Sequence, residues 1–198
     1  MPRLGSPVVR PFLRPVRADD LDAMRDFLCA LGPESRRLRF HGTVNPRSER
    51  LLQDLTRTGG VQRGAWVAVL PCDDRELIVG EARWARRDAG CAEFGLVVAD
   101  AWQCHGLATA LLEALQREAS AAGNDTLQGD VLVDNHRMAA FMWRQGFEAG
   151  EVCDDGVQLW RRHGSASPRR SAFARALRCK SQRAHYHQGG IASAWFHG

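Results

Sequence analysis

Gln103-Cys104-His105-Gly106-Leu107-Ala108-Thr109 follows an apolar run ending at Val98 and opens directly into an amphipathic stretch. A strand that turns through one glycine into a helix leaves the first helical N–H groups unpaired, at the positive end of the helix dipole. Such a terminus seats a phosphate or pyrophosphate. Gly106 allows close backbone approach, and the small Ala108 and Thr109 leave room above the first turn. Gln103 can cap the turn or contact phosphate but brings no charge. Cys104 and His105 are expected to point outward while their amides face the ligand, and His105 adds charge only when protonated.

Glu93 starts the strand that leads to this loop. An amine is almost wholly charged at neutral pH, with a lysine reference pKa near ~10.4, so a group that attacks as an amine must first lose a proton. A carboxylate at Glu93 suits that task, although a solvated or arginine-paired strand-end glutamate has the same sequence signature. Glu81, on the preceding strand, is the reserve. Alternation places Glu93, Gly95 and Val97 on one face and Phe94, Leu96 and Val98 on the other. Asn135, after the apolar run Leu127 to Val133, has the residue type of a helix cap.

These segments resemble, in order, the motifs of the GNAT N-acetyltransferases. Gln103-x-x-Gly106-x-Ala108 matches that family's Arg/Gln-x-x-Gly-x-Gly/Ala pyrophosphate loop. Asn135, Met138, Phe141, Gly146 and Phe147 match its later pattern, and Arg14 to Leu21 resembles its first strand and helix cap. The likeness covers about residues 12 to 162. It implies acetyl-CoA as co-substrate, with pantetheine along Val97 and Val98, pyrophosphate on residues 103 to 109, and Asn135 touching the pantetheine arm. It also implies a backbone donor to the thioester oxygen at Val98 or its neighbour.

Ala92-Glu93-Phe94-Gly95-Leu96-Val97-Val98 and Ser35-Arg36-Arg37-Leu38-Arg39-Phe40 further resemble segments of the Pat-like protein-lysine acetyltransferases, in which the matching glutamate is the general base. The second segment covers the acceptor groove in that fold, or is an amphipathic turn with Leu38 and Phe40 inward and its arginines solvated. A tyrosine that often serves as general acid is missing: the nearby positions are Phe141, Met142 and Trp143, and Tyr186 is the chain's sole tyrosine. The resemblance therefore implies direct acetyl transfer to a primary amine, a protein lysine first and a small-molecule amine second. A non-catalytic acyl-CoA-binding module is the reading from another class.

The elements that must position these residues follow from periodicity and punctuation. Strands are expected over Val8 to Val16, Gly64 to Leu70, Leu77 to Ala85, Ala92 to Val98, Leu127 to Val133, Glu148 to Val152 and Val157 to Trp160. Helices are expected from an Asp19 or Asp20 cap to Leu31, over Glu34 to His41 as a short helix or turn, and over Arg50 to Thr56, Gly106 to Ala121 and 136 to 145. This is an α+β chain, and the family resemblance makes it a three-layer α/β/α sandwich with a mostly antiparallel mixed sheet, splayed central strands and about four helices.

At 198 residues with 44% apolar composition, one domain with a substantial core is expected. No apolar run nears the ~20 residues of a membrane span, and the N-terminal residues lack the apolar stretch of a signal peptide. Six cysteines without metal spacing fit reduced thiols, hence a cytoplasmic enzyme with no metal. Charge is uneven: residues 161 to 198 hold seven Arg and one Lys and no acid, whereas residues 1 to 160 hold 19 Arg against 23 acids. A domain over 1–162 and a basic, disordered tail over 163–198 are expected, with nucleic acid reached at most through that tail. A monomer or homodimer is compatible with the sequence.

Overall fold

The computed structural model describes residues 10–57, 59–72 and 75–164. The expected tail lies outside the described residues from residue 165 on.

Seven strands form one sheet in the order β1-β2-β3-β4-β5-β7-β6. They are β1 (Phe12–Pro15), β2 (Arg63–Cys72), β3 (Arg75–Asp88), β4 (Cys91–Val98), β5 (Thr126–Leu132), β6 (Glu148–Val152) and β7 (Val157–His163). All neighbours run antiparallel except β4 and β5, which pair in parallel. Pro11 and Pro15 lie on or beside β1, an edge strand, where a missing ladder donor is tolerated. The β4–β5 pairing covers only Cys91/Thr126, Ala92/Leu127 and Glu93/Gln128. Beyond it the two strands separate, so the sheet carries a wedge at its centre.

Helices cover both faces. α1 (Leu21–Ala30), α2 (Pro33–Phe40) and α3 (Glu49–Thr56) lie on one, α4 (Leu107–Ala121) and α5 (His136–Arg144) on the other. The expected three-layer α+β fold is present, with five α-helices among the described residues against the expected four or so, because the segments around Pro33 and Glu49 each complete two turns. Strand alternation sorts the core as expected. Phe94, Leu96 and Val98 pack with Leu111, Leu112 and Leu115 of α4, whereas Val97 joins Met24, Leu28 and Leu52 on the other face. Burying a Leu or Phe side chain contributes roughly 1.5–3 kcal/mol, so these two layers hold the wedge open between rigid walls.

Two expectations change. Asp20 stands at the N-cap of α1 without capping it; its carboxylate accepts from the Arg17 backbone N–H at 2.7 Å and from the Arg14 guanidinium at 2.6 and 2.8 Å. A bidentate pair with buried Arg14 is the stronger bond and outcompetes a helix amide. The arginines of α2 are not all solvated either, for Arg39 is 5% exposed.

At the far end of α4, Glu118 accepts from the indoles of Trp66 and Trp84 at 3.1 and 2.9 Å. Gly64 makes this possible, since a Cβ there would lie 2.1 Å from the Glu118 carboxylate. α4 is thereby pinned to β2 and β3 at one end, and its N-terminus is aimed beside the wedge.

Candidate active site

The loop between β4 and α4 begins with a single 3-10 turn, Asp100–Trp102. Gln103 then folds back, donating through Nε2 to the Val98 carbonyl at 3.1 Å and to Asp100 at 3.3 Å. Its amide is spent on fixing the loop against the strand end. Cys104 and Gly106 adopt left-handed backbone, at φ of 64° and 83°. His105 Nδ1 lies 2.7 Å from the Gln103 carbonyl, and Cys104 and His105 are exposed.

No side chain caps α4, in contrast to α3 and α5, which Ser48 and Asn135 cap. A Cβ on Gly106 would meet nothing within 4 Å. The first-turn amides of Leu107, Ala108 and Thr109 thus have no capping side chain, and the space beside Gly106 is open, which suits a pyrophosphate. Thr109 Oγ1 accepts from Gln145 at 3.4 Å.

One residue near this loop escaped sequence reasoning. Arg137 donates to Cys104 Sγ at 3.4 Å and places a guanidinium beside the amides where Gln103 brings no charge. Nothing in the loop signals it; only the docking of α5 brings position 137 there.

Glu93 lies on β4 at the last paired rung of the wedge and is 6% exposed. Its Oε2 accepts from Arg87 at 3.1 Å, and its Oε1 is buried without a hydrogen-bond partner. Burial and then the nearby Asp130 charge push the carboxyl above the usual carboxylate range, against the opposing pull of Arg87 and Arg39. Asp130, on β5, is likewise pushed up by burial. Glu81 differs: it is 2% exposed and is held by Arg83 and, at 3.4 Å, by Arg39.

The wedge opens into a cleft bounded by Leu38, Arg39 and His41 from the α2 side, by Phe94 to Leu96 and Gly129 to Val131 from the strands, and by Asn135, Met138 and Met142 from α5. Arg39 lies flat on β4: a Cβ on Gly95 would come 2.7 Å from its guanidinium carbon. His41 ends α2 in left-handed backbone, and burial followed by the Arg39 charge lowers its imidazole, favouring the neutral ring. Asn135 Oδ1 accepts from the Met138 N–H at 3.1 Å, so it caps α5 while bordering the cleft. Val97 and Val98, at the end of β4, are buried. Near the missing tyrosine, Phe141 is half-buried, Met142 buried and Trp143 exposed, and none offers a hydroxyl.

α2 straps this cleft to both strands. Asp100, after β4, accepts from the Gly32 N–H at 2.8 Å and from the Ser35 hydroxyl, and these bonds hold its carboxyl below the ordinary value. Asp134, after β5, pairs with Arg37 at 2.7 Å. The Ser35 to Phe40 segment is thereby tied to the chain just after β4 and just after β5.

The sequence model of the acetyltransferase (GNAT) domain matches residues 10–148, most of the chain. The chain belongs to the GNAT acetyltransferase family. The GNAT domain of S. lividans PAT superposes with a TM-score of 0.70 at 26% identity, over 79% of this chain and 94% of that one. An acetyltransferase of Pseudomonas aeruginosa is 29% identical over 148 residues, 74% of this chain and 80% of that protein. Arabidopsis thaliana NAA60, solved in complex with acetyl-CoA, shares the fold with a TM-score of 0.59 at 14% identity, over 77% and 98% of the two chains. This GNAT protein is thus an acetyl-CoA-dependent acetyltransferase. Among the described residues no cluster of three or more metal-ligating side chains exists, and no helix is long and apolar enough to cross a membrane.

Proposed function

We propose that this enzyme acetylates a primary amine, a protein lysine first, by direct transfer with Glu93 as the general base. The observation that carries the reading is the free, buried Oε1 of Glu93 at the opening of the wedge, on a carboxyl whose proton affinity is raised. A raised carboxyl is a stronger base than a solvated one and so is better matched to a lysine ammonium. Acetyl-CoA supplies an activated thioester. The uncapped amides of Leu107, Ala108 and Thr109 would hold its pyrophosphate, and Val97 and Val98 at the end of β4 and Asn135 at the cap of α5 would flank its pantetheine arm. With no tyrosine in α5, the thiol leaves as the thiolate, which its reference pKa near ~8.5 permits.

Protein lysine as acceptor is supported by the resemblance of residues 92–98 and 35–40 to segments of the Pat-like protein-lysine acetyltransferases, beside the 26% identity to the S. lividans PAT domain. We also assign residues up to about 162 to the catalytic domain and place the enzyme in the cytoplasm. The test is acetyl transfer from acetyl-CoA to lysine-containing proteins and, separately, to polyamines, amino sugars and amino acids. Transfer to protein lysines that disappears in Glu93→Gln is the expected result. Turnover on small amines alone would replace the acceptor, and undiminished turnover in Glu93→Gln would remove Glu93 from the role.

A further inference from the structure

The wedge is plugged from inside. Phe94 is 4% exposed and points toward α4 and α5, where its ring stands at 5.4 Å from that of Phe147. It leans on Gly129 of the opposite strand. A Cβ at 129 would lie 2.9 and 3.2 Å from two Phe94 ring carbons and 3.4 Å from Met142 Cε. Even a methyl group at that point has no room, and the wall behind it is Met142, 1% exposed. The cleft therefore has a closed, apolar base.

Its other boundary is polar. Arg39 Nε and Nη1 and His41 Nδ1 are buried without hydrogen-bond partners, and Asp130 stands beside them. A hydrocarbon chain turned that way would leave these groups desolvated and still unpaired, which is costly. It would also occupy the side from which the acceptor must come, beneath α2.

We propose that Phe94, backed by Met142 and seated on Gly129, is the acyl stop of this enzyme and restricts its donor to acetyl-CoA over longer fatty acyl-CoA. The inference rests on the reading of the β4–β5 wedge as the transfer site. It adds a specificity determinant that neither Glu93 nor the pyrophosphate loop supplies. In a packed pocket one methylene too many changes kcat/KM by roughly 10–200-fold. The stop predicts a fall of about tenfold or more from acetyl-CoA to butyryl-CoA, and a steeper one to hexanoyl-CoA.

The first arm uses the wild type alone: kcat/KM for acetyl-, butyryl- and hexanoyl-CoA with one amine, and the rise in Tm that each donor gives relative to free CoA. Acetyl-CoA should stabilise at least as well as CoA, and hexanoyl-CoA less. The second arm repeats the series in Phe94→Leu and in Met142→Ala. The acetyl-to-butyryl ratio within each variant cancels any loss of folded protein, and both ratios should narrow toward unity. Equal use of butyryl-CoA by the wild type, or ratios unchanged in both variants, overturns the stop while acetyl-CoA binding stands. Absence of any stabilisation by acetyl-CoA overturns the cofactor reading and this inference together.

Discussion

Two buried glutamates on adjacent strands of one sheet face have opposite surroundings. Glu81 pairs in register with Val97 and sits between Arg39 and Arg83. Glu93 pairs with Ala85 in the same ladder, meets Arg87 through one oxygen, and leaves the other without a partner. The helix N-termini repeat the contrast. α5 is closed by Asn135, whereas α4, the longest helix, is open. In each of these two pairs the member that holds structure is closed, and the other is open to a ligand. An open buried oxygen destabilises the free protein, and that is tolerable where substrate or proton fills it.

The largest effect that can break this contrast is on turnover. Glu93→Gln should lower kcat by roughly 10²–10⁴-fold, the range of general base catalysis, with acetyl-CoA affinity retained. Glu81→Gln should do the reverse. It leaves Arg39 and Arg83 facing a lost anion and should cost about 3–5 kcal/mol of stability, or roughly 6–20 °C in Tm for a chain of this size, while turnover per folded molecule persists. Measuring kcat and Tm on both variants decides the matter. Exchanged phenotypes would make Glu81 the base and Glu93 the structural group.

pH sharpens the same contrast. The carboxylate form of Glu93 is required as base, so kcat/KM should fall as pH drops through a midpoint above the ordinary glutamate value near ~4.3. The stability consequence has a definite sign. A carboxyl whose folded pKa is raised contributes stability that is fully present below the unfolded pKa and is lost as pH rises through the folded one. Wild type should therefore be less stable than Glu93→Gln at neutral pH, with the difference shrinking toward pH 4. Thermal unfolding of both proteins across that range checks it. A variant less stable than wild type at neutral pH would mean that the Arg87 pair outweighs burial.

Much of this contrast was legible in the residues, and the illegible part has a common physical cause. Local patterns carried the strand faces around Glu93, the glycine turn at 106 and the order of elements. Burial of Arg39 was not legible, because an arginine in an amphipathic helix reads as solvated; only the missing side chain at Gly95, 56 residues later, makes room for it. The second partner of Glu81 and the nearness of Arg137 to Cys104 are likewise products of tertiary docking. The cap of α1 misread for the same reason, since Arg14 in β1 competes for Asp20. Sequence conveys which groups are polar, and packing decides which of them end closed.

For the helix termini, the open end should respond more strongly than the closed one. At acetyl-CoA near 100 times its Kd, linkage raises stability by about 2.7 kcal/mol, a rise of roughly 5–11 °C in Tm. Gly106→Trp, which fills the open space above the α4 amides, should abolish that rise. A rise that survives would place the pyrophosphate elsewhere and leave the α4 terminus without a ligand.

Asn135 provides the smallest and most discriminating case, because it belongs to both classes. Its Oδ1 closes α5, yet the residue borders the cleft. Loss of the cap in Asn135→Ala should cost about 1 kcal/mol, or roughly 2–4 °C in Tm. Asn135→Ser keeps a capping oxygen and should recover most of that stability. Acetyl-CoA affinity then separates the two roles. If the side-chain amide also meets the pantetheine arm, the serine variant regains the Tm of the free protein but not the full rise with acetyl-CoA, because a hydroxyl is too short to cap and reach at once. If both quantities recover together, Asn135 is a closed group only, and the open part of the site ends at the amides of α4 and the free oxygen of Glu93.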